Sequence, residues 1–202
     1  MAGQLRRGDD GRDRCWWGGS TPDYAVYHDS EWGRPVRGDA ALYERLTLEA
    51  FQSGLSWLTI LRKREGFRRA FAGFDIDAVA GFGDADVQRL LADAAIVRNR
   101  AKIEAAIVNA RATVAMRAAG ESLSDLIWSY RSDHPRGPAG GDDLVASTPE
   151  SKALARELKR RGFAFVGPTT VYSTMEACGI VNDHLQGCWV RDEVERLRAA
   201  LP

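Results

Sequence analysis

The stretch from Leu42 to Arg64, LYERLTLEAFQSGLSWLTILRKR, constrains the fold more than any other, because it puts a carboxylate where helical periodicity calls for a hydrophobe. On a helix through Leu42 and Leu46, Glu49 falls on the same stripe, seven and three residues further on. Glu49 is therefore expected to point inward, where a carboxylate has to be ion-paired with a neighbouring Arg, hydrogen-bonded, or reserved for a ligand. Gly54 then ends this helix, and Ser56 caps a second one that opens at Trp57. Leu55 is left at the tip of the turn, beside the positive end of the second helix and a basic run of Arg62, Lys63, Arg64, Arg68 and Arg69. Such a leucine either staples the corner or acts as an apolar wedge into nucleic acid.

A chain of 202 residues suits one domain with a proper core. Its 28 basic and 28 acidic residues cancel, so any nucleic-acid partner has to be met by a local patch and not by a global field. No apolar run reaches the length of a membrane span, and the N-terminal MAGQLRRGDDGRDR has no apolar signal-peptide core, so a cytoplasmic protein with no membrane partner is expected. Three widely spaced cysteines make no disulfide framework, which leaves metal ligation or burial for Cys15, Cys178 and Cys188.

In chain order, residues 1–13 are rich in Gly, Arg and Asp without periodicity and read as a disordered tail, with a single domain over 14–202. The segment Cys15 to Gly33 is loop-rich and dense in aromatics, Trp16, Trp17, Tyr24, Tyr27 and Trp32, which either plug a small lobe or line a slot for a flat ligand. A short amphipathic turn is expected over Ala70 to Phe82 and a helix over Ala85 to Ala94; another helix starts near Arg100. The tight AAIVRNR turn between those two helices either makes a plain helical hairpin or offers backbone N–H groups and Arg98, Arg100 and Lys102 to a phosphate. Leu123 to Tyr130 reads as a helix, followed by a breaker-rich loop from His134 to Leu144. Ser147-Thr148-Pro149-Glu150 reads as a capping box opening a helix to Arg161, Gly167-Pro168 opens the next, and a charged helix ends the chain. No strand pattern and no repeat appears, so the fold class is all-α.

Cys15 and His28 lie near the start, while His184 and Cys188 lie near the end with three residues between them. If the two pairs meet, two thiolates and two imidazoles would close a tetrahedron, which suits a structural Zn²⁺ better than a catalytic one. If they do not meet, the residues are merely buried. His134 is the only other imidazole, so none is left for a separate catalytic pair.

Five motifs then occur in one order: C-x-W at Cys15 to Trp17, YHDxEWG at Tyr27 to Gly33, LExxQxGLSWxTxLxKRE at Leu48 to Glu65, KRRGFxFVG at Lys159 to Gly167, and MxACGxVNDHxxGC at Met175 to Cys188. Over about Cys15 to Cys188 the chain thus resembles the DNA-3-methyladenine glycosylase I family of constitutive bacterial alkylbase repair enzymes. The resemblance implies a helix-hairpin-helix DNA glycosylase fold, with a hairpin core at about 40–130 and a Zn-stapled lobe from 15–35 and 145–190 that joins the N- and C-terminal segments. It implies Cys15, His28, His184 and Cys188 as ligands of a structural Zn²⁺, Glu49 as the catalytic and base-reading carboxylate, and Tyr24, Tyr27 and Trp57, with Trp17 and Trp32 near them, as the base pocket. It further implies Gly54, Leu55 and Ser56, with the hairpin's Arg98, Arg100 and Lys102, as the DNA-binding residues. The expected partners are double-stranded DNA carrying alkylated bases and free 3-methyladenine as product, and the protein is expected to act as a monomer. Two departures stand out: Ala95 replaces a usual Gly, so a hairpin turn needing positive φ there would be strained, and the terminal helix is longer and more charged than expected.

The competing classes are a non-catalytic helix-hairpin-helix DNA-binding protein with a structural zinc, and a zinc hydrolase or deaminase. The first leaves an inward Glu beside aromatics unexplained, and the H-x-E…P-C-x-x-C signature of the second is absent.

Overall fold

The computed structural model of the protein describes residues 4–131 and 137–201; His134 lies outside the described residues. Ten α-helices pack around one main core among the described residues, and a two-stranded antiparallel sheet adds a small flap. The helices are α1 (Pro22–Ser30), α2 (Asp39–Gln52), α3 (Trp57–Ala70), α4 (Ile76–Ala80), α5 (Asp84–Ala92), α6 (Arg100–Ala118), α7 (Leu123–Trp128), α8 (Pro149–Arg160), α9 (Pro168–Ala177) and α10 (Arg191–Ala199).

Helix α2 is the hub, packing on α3, α6, α7 and α9. Every residue from Leu46 to Phe51 is buried, so the second half of α2 has no solvent face. Glu49 is inward for that reason as much as for its place on the stripe. Tyr43 donates its hydroxyl to the Ala106 carbonyl at 2.9 Å, fastening α2 to α6 in the core. The corner after α2 follows its capping signals: Gly54 adopts φ 81°, and the Ser56 hydroxyl accepts from Thr59 N to open α3.

Helices α5 and α6 form the expected hairpin, and its turn is unstrained. Ala95 is not among the positive-φ residues; the Asp93 carboxylate holds its N–H at 2.8 Å, and Asn99 caps α6 by accepting from Lys102 N. This corrects the expectation of strain at Ala95. The turn packs directly on α3, where a Cβ on Gly66 would sit 2.5 Å from the Ala95 carbonyl oxygen.

Three other expectations need correcting. Leu5–Arg7 (β1) pairs antiparallel with Asp13–Cys15 (β2), where a disordered tail to residue 13 and no strands had been expected. These strands are short and polar, so they carry no period-two apolar signal; the second is fixed from far along the chain, Trp189 N donating to the Asp13 carbonyl. The loop-rich segment contains α1, begun by the Thr21 cap and Pro22 at the first helical position. Helix α8 is capped by Thr148 with Ser151 in place of the Ser147 and Glu150 pair. The charged helix α10 is docked, with the buried Arg198 guanidinium donating to the carbonyls of Gly179 and Ile180. Among the described residues no helix is long and apolar enough to cross a membrane.

Gly66 offers a test of this packing. Helix propensity alone says that Gly66→Ala should stabilise by about 1 kcal/mol. The backbone oxygen of Ala95 in the way should reverse the sign, giving a loss of about 1–3 kcal/mol in denaturant unfolding.

Candidate active site and metal centre

The four cysteine and histidine donors meet. Cys15, His28, His184 and Cys188 are all buried, and their ligand atoms lie within 4.8 Å of one another. Cys188 Sγ is 3.4 Å from His28 Nε2 and 3.5 Å from His184 Nδ1, and Cys15 Sγ is 3.8 Å from His184 Nδ1. Metal bonds of about 2.0–2.3 Å meeting at a tetrahedral angle would set such atoms about 3.5 Å apart. The remaining ring nitrogens are oriented as a metal site requires: His28 Nδ1 faces the Asp29 carboxylate at 2.8 Å and His184 Nε2 the Trp32 carbonyl at 3.1 Å. Arg14 and Trp189 in turn bind Asp29. Two sulfurs and two nitrogens, with no fifth donor grouped with them among the described residues, could hold a metal ion; a closed set of four suits a structural role.

Cys15 of this cluster also borders a cavity of about 290 Å³. Tyr24, Tyr27, Trp17, Trp32, Trp57 and Glu49 all line it, so the expected pocket residues converge. Trp17 stands edge-on to Trp32 at 4.9 Å and to Tyr24 at 5.6 Å, while Tyr27 and Trp57 lie 5.3 Å apart. The Tyr24 hydroxyl accepts from Leu58 N, which braces the first turn of α3. Trp32 also packs edge-on against His184 at 4.6 Å, so the donor cluster and the aromatic wall are one piece of structure.

Sequence reasoning missed Gln52, Ser173, Glu176 and Asp183, which also line the cavity. Gln52 lies three residues after Glu49 and Ser173 three before Glu176, spacings that put each pair on one helix face. Asp183, which accepts from the Tyr172 hydroxyl at 2.5 Å, directly precedes His184 of the donor cluster.

Glu49 is 5% exposed and has no hydrogen-bond or ion-pair partner within the described structure. Burial pushes its pKa up to about 8, against a smaller pull from Arg45 one turn earlier. Arg45 is not its partner in an ion pair. Its guanidinium donates to Glu31 at 3.1 Å, and Arg64 grips the same carboxylate at 2.5 and 2.9 Å. Trp57 Nε1 is likewise buried without a partner among the described residues.

The expected DNA-facing residues divide. Gly54, Leu55 and Ser56 are exposed at the corner, Leu55 by 43%, and Gly54 and Leu55 border a second cavity of about 210 Å³ that shares Glu49, Gln52 and Ser173 with the first. Arg98 and Arg100 are exposed at the hairpin, Arg100 beside Glu104. Lys102 turns inward instead: it is buried, and Nζ donates to the carbonyls of Phe51 at 2.9 Å and Ser53 at 2.5 Å. Its expected phosphate contact is thereby corrected, because its donors serve the end of α2.

Residues 17–192 match the methyladenine glycosylase family. DNA-3-methyladenine glycosylase 1 of Escherichia coli is 46% identical over 178 residues, covering 87% of this chain and 95% of that protein. DNA-3-methyladenine glycosylase of Haemophilus influenzae is 42% identical over 177 residues, covering 87% and 96%. A crystal structure of a 3-methyladenine DNA glycosylase I superposes with a TM-score of 0.84 at 48% identity, covering 87% of this chain and 98% of that one. A structure addressing 3-methyladenine recognition by the Staphylococcus aureus enzyme gives 0.83 at 36% identity, covering 88% and 96%.

The buried carboxyl should make stability depend on pH. Its folded pKa is raised, so between about pH 4.5 and 8 the unfolded chain loses a proton that the folded one keeps. Stability therefore falls across that window and levels off above it. Glu49→Gln should melt close to the parent at pH 5 and above it at pH 8.5. A loss of about 3–5 kcal/mol at both pH values would instead mark Glu49 as half of a buried ion pair.

Proposed function

Because the chain belongs to the methyladenine glycosylase family, we propose that it is a base-excision repair glycosylase that hydrolyses the N-glycosidic bond of 3-methyladenine in alkylated DNA. One observation carries this reading: an unpaired buried carboxyl faces an aromatic cavity that adjoins an exposed leucine corner. A non-catalytic DNA-binding module would have no use for such a cavity.

3-Methyladenine in DNA carries delocalised positive charge and leaves as a neutral base, so its bond is already weak and little acid catalysis is needed. Selection is the harder problem. Leu55 fills the gap in the duplex as the damaged nucleotide is extruded, a step that is cheaper for a damaged base. The cationic ring then lies against Tyr27 and Trp57, where each π face contributes about 0.5–2 kcal/mol. Glu49 ionises beside the cation, accepts from the exocyclic amine and opposes the ring charge, an attraction that normal adenine lacks. Water adds to the sugar C1′ as the base departs, leaving abasic DNA and free 3-methyladenine. The enzyme acts as a monomer on DNA in the cytoplasm, with phosphates met by the hairpin's backbone N–H groups, Arg98 and Arg100.

Glu49→Gln keeps the shape and one acceptor but removes the charge. Excision of 3-methyladenine from methylated duplex should fall about ten- to a hundredfold in kcat/KM, the value of a charged hydrogen bond, while the melt stays cooperative. An unchanged rate would remove Glu49 from base reading.

The buried cluster of two thiols and two imidazoles supports one structural Zn²⁺ held by Cys15, His28, His184 and Cys188. Elemental analysis should find one zinc per chain, and Cys15→Ala or His184→Ala should lower the melting temperature. A metal-free preparation as stable as the native one would contradict this assignment.

A further inference from the structure

Helix α6 begins with two basic residues in its first turn, Arg100 and Lys102, and no acidic one. That is the wrong end of the helix dipole for a cation. Lys102 is also 7% exposed, and burial lowers its pKa. Within the described structure it forms no ion pair with a carboxylate. A buried ammonium in such a place is expensive unless something specific compensates it.

The compensation is the end of α2. Nζ donates to the Phe51 and Ser53 carbonyls, at 2.9 and 2.5 Å. These are among the carbonyls that a helix C-terminus leaves without intrahelical partners, and they carry the negative end of its dipole. Ser53 leads directly into Gly54, at φ 81°, and then into exposed Leu55. From the opposite side, Lys63 of α3 donates to the Ala94 carbonyl in the hairpin turn at 2.7 Å. Gly66 lets that turn lie against α3. The leucine corner and the hairpin are therefore cross-braced by one lysine from each, and the lysine from the hairpin side holds the corner's own backbone.

We propose that Lys102 is a positioning residue for the glycosylase reaction: its ammonium locks the Ser53 to Leu55 corner to the hairpin, so that seating the hairpin on DNA phosphates sets the depth and register of Leu55 in the duplex. Lys102 touches neither base nor phosphate. It acts through Leu55, which gives it a signature that general destabilisation does not share.

The inference rests on the glycosylase reading, and the experiment separates the two. Parent, Lys102→Met, Leu55→Ala and the double variant are compared for excision from methylated duplex DNA, for binding of free 3-methyladenine and by thermal melt. Lys102→Met should reduce kcat/KM on duplex about ten- to a hundredfold while free-base affinity stays within about twofold of the parent. The double variant should be no slower than Leu55→Ala alone, because the two changes remove one function. Multiplying effects, a parallel loss of free-base affinity, or parent-like excision by Lys102→Met would each overturn the role assigned to Lys102. A parent protein that released no methylated base would overturn the glycosylase reading itself. If Lys102→Met does not fold, Lys102→Leu, which likewise has no donor for the carbonyls, takes its place in the same cycle, and the same outcomes support or overturn the role.

Discussion

The pocket depends on the meeting of four donors from opposite ends of the chain. Closing a loop between His28 and His184 is entropically costly for a flexible chain, though the cost grows only slowly with loop length. The return is rigidity where it matters. Trp17 packs at 5.2 Å on His28, and the Trp32 carbonyl is the acceptor that orients His184. The aromatic wall is thereby held by the same residues that hold the donor cluster, and Asp29, Arg14 and Trp189 extend that support outward to the β-hairpin.

Opposite that wall, α2 carries a carboxyl with no internal partner. The nearest candidate, Arg45, is committed to Glu31 together with Arg64, which leaves its charge near Glu49 without cancelling it. The result is a carboxyl whose pKa burial raises well above the ordinary glutamate value. Burial on every side of α2 makes this possible, since an acid at the helix surface would be ionised whether or not a ligand was present.

The corner from α2 to α3 was legible because Gly54 and Ser56 are local capping signals, and Glu49 because a charge on an apolar stripe is conspicuous. The same logic applies to Lys102, which lies three and four residues before Ala105 and Ala106 and seven before Asn109, all buried on α6. Its basic neighbours at a hairpin suggested phosphate instead, although its place on the buried face was visible. The β-hairpin was not legible, because its register is fixed by Trp189 and Asp29, distant in sequence, and not by any pattern of its own. The joining of Cys15 and His28 to His184 and Cys188 came from the resemblance. Spacing alone leaves the meeting of two distant pairs undecided.

The treatment of cations bears on how this protein holds DNA. With 28 basic and 28 acidic residues, it has little charge to offer a polyanion as a whole. Many of the cations nearest the site are already engaged: Arg45 and Arg64 on Glu31, Arg62 on Asp23, Arg68 on Glu44 and Glu65, and Lys63 and Lys102 on backbone carbonyls. Each engagement stiffens α2, α3 or the hairpin and removes one candidate phosphate contact. On the glycosylase reading, Arg98 and Arg100 at the hairpin remain exposed for phosphate. On the same reading, the backbone N–H groups at the start of α6, the apolar corner at Leu55 and the aromatic slot add to that hold.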